Sequence, residues 1–145
     1  MDKEKLLRTL QDDLYVMLKS SSVHGIGVFA IRDIPEGCKT VFSSGVEEWI
    51  KIPIKEVESL PAHARIEIET YCLFDEEYYF VPEYGFKIID PVIYLNHSSQ
   101  PNLVSKEDGE VFEALRDIKA GEELFVDYTT LADGLEGYSH PQMLY

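Results

Sequence analysis

The sequence predicts a mostly-β, α+β domain, and three observations carry the prediction. Short β-rich runs recur along the chain, each closed by a cluster of glycine, proline, asparagine or serine. One stretch, residues 55–70, shows helical spacing instead. The chain has 145 residues, of which 45% are hydrophobic and 28% charged, which is the size and composition of a single packed domain. No internal repeat, low-complexity tract or long linker divides it.

The elements follow in order. Residues 1–13 are polar, with Leu6, Leu7 and Leu10 at helical spacing, and read as a short helix or an N-terminal arm. Residues 14–18 read as a strand, and Ser20-Ser21-Ser22 as the turn that ends it. Gly25 to Ile31 runs from a glycine loop into a second strand. Ile34-Pro35-Glu36-Gly37 is a tight turn, because proline presets one φ and glycine accepts a positive one. A strand from Cys38 to Ser43 is expected next. Val57, Leu60, Ala64, Ile68 and Tyr71 lie near one helical face, and Pro61 splits that stretch into two short helices. Residues 77–95, rich in Tyr, Phe, Val and Ile and broken by Pro82, Gly85 and Pro91, read as several short strands. Residues 110–116 and 123–127 read as two more.

Composition excludes several functions. The formal charge is −14 and the pI about 4.5. A general nucleic-acid binder needs Lys and Arg to meet phosphate, so nucleic acid is not an expected partner. A basic partner is, because an acidic surface steers cations toward it. The acidity sits late: residues 51–145 carry 7 basic and 19 acidic side chains. No apolar run approaches the ~20 residues of a membrane span, and the start lacks a signal-peptide core, so a cytoplasmic location is expected, or a nuclear one in a eukaryotic host. Cys38 and Cys72 are too few for a disulfide framework and read as small buried hydrophobes. His24, His63, His97 and His140 are scattered without metal-ligand spacing, so no metal site is expected.

Three segments stand out. Gly25-Ile26-Gly27 lacks the third glycine of a dinucleotide fingerprint and is an ordinary hairpin signal unless a ligand approaches the backbone there. Asn96-His97-Ser98-Ser99-Gln100-Pro101-Asn102 is a polar loop entered from an apolar run, which is either a self-satisfied turn or a ligand loop. His97 and Ser98 are neighbours and point opposite ways on extended chain, so they form no hydrolytic pair. Gly121-Glu122-Glu123-Leu124-Phe125-Val126-Asp127-Tyr128 is a turn, a strand and a terminal tyrosine.

Taken together and in this order, the three segments resemble the SET domain family of protein lysine methyltransferases. The glycine segment resembles the family's opening motif. Asn96-His97-Ser98 through Pro101-Asn102 resembles its Asn-His-Ser-Cys-x-Pro-Asn motif. Gly121-Glu122-Glu123-Leu124 through Asp127-Tyr128 resembles its closing motif. The resemblance implies a β-clip-like set of small curved sheets with a C-terminal pseudoknot and a short helical insert. It also implies boundaries: an arm or helix at 1–13, the SET domain at 14–130 with a variable insert at about 44–90, and a tail at 131–145.

The resemblance further implies S-adenosyl-L-methionine as cofactor, held by Gly25, Ile26, Gly27, Asn96, His97 and Tyr128. Tyr128 takes the place of the family's catalytic tyrosine. The implied reaction transfers a methyl group in line to a deprotonated lysine of a basic protein or peptide, bound as a strand on a sheet edge. The alternative is a SET-like module that holds cofactor or a protein partner without turnover. Two departures agree with each other: Ser99 replaces the motif's cysteine, and the tail holds no cysteine. Both speak against the zinc module of some members. Tyr138 or Tyr145, or a second subunit in a homodimer, is then expected to close the lysine channel. Ile93 stands where members often carry arginine.

Overall fold

The computed structural model describes residues 2–42, 49–88, 90–106 and 111–131. Its elements are helices α1 (Lys3–Asp12), α2 (Ile54–Glu58) and α3 (Ala62–Tyr71), and strands β1 (Val16–Ser20), β2 (Ile26–Ala30), β3 (Trp49–Pro53), β4 (Tyr78–Pro82), β5 (Asn96–His97), β6 (Leu103–Lys106), β7 (Val111–Ala114) and β8 (Glu123–Val126). Single 3-10 turns form at Pro91–Tyr94 and Tyr128–Thr130.

The strands form three small sheets. β1 and β2 make an antiparallel hairpin from Val16↔Ala30 to Ser20↔Ile26. β2 pairs antiparallel with β8, and β8 pairs parallel with β5, which gives the order β1-β2-β8-β5. β3–β4 and β6–β7 are separate two-stranded sheets. The parallel β5–β8 pair sets Asn96 beside Phe125 and His97 beside Val126, so two motifs far apart in sequence share one ladder.

The core lies under this sheet. Val28, Ile34, Leu103, Ile118 and Leu124 are fully buried, and Ile34 bridges Ile118 to tie the turn at 34–37 to the turn at 118–121. The insert has its own smaller core of Val57, Ile68, Cys72 and Val81. Burial pushes the Cys72 thiol up to about 12, with Glu67 adding to the effect, so it stays protonated as a small apolar side chain. Cys38 is half-buried.

Several elements depart from the expected ones. β1 ends at Ser20, two residues later than its apolar run, because Lys19 and Ser20 complete the ladder opposite Gly27 and Ile26. Residues 38–42 form no strand. The backbone here meets β7 through Gly37 N–H on Ala114 O and Ala114 N–H on Cys38 O, Phe42 packs edge-on against Phe112, and Val41 turns into the core. Residue 43, the end of that expected strand, lies outside the described residues. Of the strands expected over 77–95, β4 alone forms among the described residues. Pro91 opens a 3-10 turn in which the Asp90 carboxylate accepts the Val92 N–H, 3.0 Å away. Pro61 divides α2 from α3 as expected.

Candidate functional site

The hairpin loop between β1 and β2 is built by Ser21. Its N–H donates to Gly25 O at 2.7 Å, and its hydroxyl accepts the N–H groups of Val23 and His24. Gly25 closes this loop at φ +48°, with open space where a side chain would begin. The Ser21 hydroxyl also donates to the Glu123 carboxylate, at 2.8 and 2.9 Å from its two oxygens. Glu123 opens β8, so the loop is tied to the closing motif across 102 residues of sequence.

Asn96 stands between them, 1% exposed. Its Nδ2 donates to His24 O and to Glu123 Oε2, each at 2.9 Å, and lies 3.4 Å from Ile26 O. Three acceptors around one nitrogen fix the orientation of the amide. The opposite atom, Asn96 Oδ1, is buried and has no hydrogen-bond partner among the described residues. Gly27 makes room for this cluster. A Cβ there would sit 2.3 Å from Glu123 Oε2 and 3.1 Å from Asn96 Nδ2. Ile26 itself is half-exposed on β2, contributing its carbonyl.

The second half of the site hangs on His97. Its Nδ1 accepts the Tyr128 backbone N–H at 3.0 Å, which in the neutral ring puts the proton on Nε2. Asp127 Oδ1 lies 3.8 Å from the same Nδ1, a charge neighbour rather than a hydrogen-bond partner, because that nitrogen is already an acceptor. The His97 and Tyr128 rings pack with centroids 5.2 Å apart. The Tyr128 hydroxyl donates to Leu95 O, immediately before Asn96. Burial pushes the phenol well above its ordinary range, so it is neutral at physiological pH.

The structure thus gathers Ile26, Gly27 and Asn96 around Glu123, and His97 with Tyr128, the two groups meeting at the Asn96–His97 peptide. Gly25 shapes the loop above them. Ser21 and Glu123 are site-builders that sequence reasoning missed. The available signal was a glycine on β2 near a glutamate that begins the neighbouring strand. Asn102 was missed as well. It is 3% exposed, donating to Glu123 O at 2.9 Å and accepting Phe125 N–H at 2.8 Å, and so clamps the far end of the 96–102 loop onto β8. Tyr94, just ahead of the motif, meets Tyr71 of α3 edge-on at 5.5 Å and links the insert to the site. Tyr138 and Tyr145, expected to close a channel, lie outside the described residues.

The residues present fit S-adenosylmethionine. A buried acceptor, Asn96 Oδ1, has no donor among the described residues, and an ammonium would supply one. The glycine loop beside it leaves space at Gly25 for close approach.

Asp127 caps the 3-10 turn that Tyr128 begins. Its carboxylate accepts the hydroxyl and N–H of Thr129 at 2.7 and 3.0 Å. The Thr129 hydroxyl first, then its N–H and the nearby His97, hold the carboxyl below its ordinary value against a partial desolvation. A carboxyl whose folded value is depressed adds stability above its unfolded value, about 3.9, and loses it as pH falls through the lower folded one. Asp127→Asn is therefore expected to lower the urea midpoint at neutral pH, and the gap from wild type is expected to narrow below about pH 4. A gap that is constant from pH 7 to about pH 2 would show that the charge contributes nothing.

The family model of the SET domain matches residues 25–129. Among solved structures, a mutant apo form of Polycomb Repressive Complex 2 from Chaetomium thermophilum matches at 27% identity over 92% of this chain and 18% of that one, with TM-score 0.56. The autoinhibited complex bound to S-adenosylmethionine matches at 26% identity over 84% and 16%, with TM-score 0.53. This chain therefore spans less than a fifth of those chains. No curated protein sequence matches.

Proposed function

The chain belongs to the SET domain family, and from that membership we propose that it is an S-adenosylmethionine-dependent protein lysine N-methyltransferase. The observation that carries the reading is the set of bonds at Asn96: its Nδ2 is consumed by His24 O and Glu123, and its buried Oδ1 is left to accept. One of the matched relatives is itself bound to S-adenosylmethionine, which supports the same cofactor here.

When bound, the cofactor supplies a methyl group already activated on a sulfonium. The chain's task is placement. Asn96 Oδ1 would hold the cofactor's ammonium, and the Gly25–Gly27 backbone would border it. Tyr128 has given its one proton to Leu95 O, so toward anything else its oxygen acts as an acceptor. It orients a neutral lysine amine or receives weak C–H···O contacts from a polarised methyl. A phenol held neutral by burial is not a base, so the lysine must arrive deprotonated. An apolar channel and a nearby cation both favour that form. The excess of 19 acidic over 7 basic side chains in residues 51–145 supports a basic protein or peptide as substrate.

One observation favours a second reading, a SET-like module that binds without turnover: the Tyr128 side chain is only 3% exposed and its hydroxyl is already bonded. Calorimetry with S-adenosylmethionine and S-adenosylhomocysteine, followed by methyl transfer to basic proteins, separates the two. Binding on the order of micromolar with transfer is the expected result. Binding without transfer to any lysine-rich protein would favour the module, and no binding at about millimolar ligand would overturn the methyltransferase reading.

A further inference from the structure

Among the described residues, nine of the sixteen exposed large apolar side chains fall between Leu6 and Ile31. Three of them form one stripe on α1. At 3.6 residues per turn, Leu6, Leu7 and Leu10 lie within an arc of about 100°. Their exposures run from 44% to 55%, and α1 buries no residue. The helix is nevertheless held at both ends. Asp2 accepts Lys5 N–H at 2.7 Å, and Arg32, stacked on Tyr15, donates to Gln11 O and Asp12 O. Ten residues are fewer than the ~12–15 that an isolated helix needs in water, so this apolar face needs a cover.

Charge decides what covers it. Residues 1–31 carry 4 basic and 4 acidic side chains, so the whole net charge of −14 lies elsewhere. Two copies repel one another over most of their surface but not here. A basic substrate finds no acidic excess on this face to prefer it. The helix is also complementary to itself. Lys3 lies in line with the leucine stripe at one end, and Asp13 flanks it at the other. An antiparallel two-fold pair sets Leu6 against Leu10 of the second copy and Lys3 against its Asp13, and opposes the two helix dipoles favourably.

We propose that α1 is the contact of a homodimer, packed antiparallel on α1 of a second copy through Leu6, Leu7 and Leu10, with Lys3 and Asp13 setting the register. The patch is small beside the ~1,200 Å² of stable interfaces, so the dissociation constant is on the order of micromolar or weaker.

Sedimentation equilibrium of the full chain over about 1 µM to 1 mM tests it. The wild type is expected to dimerise. Leu6→Gln with Leu10→Gln keeps helix propensity and is expected to weaken association at least about tenfold. Lys3→Asp alone is expected to weaken it, and Lys3→Asp with Asp13→Lys to restore it. Both substitutions suit the helix dipole, so helix loss would not mimic the effect. A wild type that stays monomeric overturns the proposal. If the leucine pair also lowers the melting temperature of that monomer, the face is covered from within the chain. A dimer indifferent to the leucine pair, or a double charge swap that fails to restore association, overturns it equally.

Discussion

Tyr128→Phe is expected to preserve the fold and cofactor affinity and to lower methyl transfer by about 10- to 1,000-fold, the range for removing one positioned polar group. The expectation rests on the role of the hydroxyl oxygen. The hydroxyl proton is committed to Leu95 O, so the working atom is the oxygen as acceptor. Burial raises the phenol's pKa, so its ionisation lies above the pH range of the assay. The transfer rate should therefore climb with pH as lysine, pKa about 10.4 when free, loses its proton, without a descending limb from phenolate formation. Phenylalanine also leaves the Leu95 carbonyl short of a donor, at a cost of about 1–3 kcal/mol. Rates are to be compared well below both melting temperatures. An unchanged rate in a folded variant would remove Tyr128 from the reaction.

Asn96→Ala is expected to have the largest effect on stability. It strips one donor from His24 O and one from the Glu123 carboxylate, and each part-buried hydrogen bond lost costs about 0.5–3 kcal/mol. Among the described residues, Ser21 would then be the side chain left on the Glu123 carboxylate. The same change deletes Oδ1, so affinity for S-adenosylmethionine is expected to fall at least about tenfold. Gly27→Ala approaches the cluster from its other side. The new Cβ, 2.3 Å from Glu123 Oε2, pushes a flexible carboxylate away while Asn96 keeps its own atoms. Its stability loss should be smaller, and its affinity loss in the same direction. Urea unfolding and calorimetry measure the pair. If Gly27→Ala matches wild type in both, Glu123 is not what orients Asn96.

The local features were legible where residues signal on their own. Pro61 marks the break between α2 and α3, Ser21 and Ser22 mark a turn although Ser20 joins β1, and the leucines of α1 mark a helix. Elements that depend on a distant partner were not. β3, with Lys51 between Ile50 and Ile52 and Pro53 at its end, is a strand because β4 lies beside it. β6 is four residues that pair with β7 and carry no distinct pattern. The apolar run 91–94 has strand composition, yet Asp90 caps it into a 3-10 turn. Residues 38–42 also have strand composition but find no continuous ladder.

The site divides the same way. Composition and three short motifs, in their order, were enough to identify the family, the cofactor expected with it and the tyrosine at the end of β8, because residue type and spacing are local properties. The tertiary structure alone decided what those residues do. It chose Glu123 over Glu122 as the hub, assigned Gly27 to make room for that carboxylate, made His97 Nδ1 an acceptor and turned the Tyr128 hydroxyl onto Leu95 O. Each is a contact between segments 27 to 102 residues apart. Such contacts come from the folded path of the chain, and no periodicity or propensity within a short window encodes them.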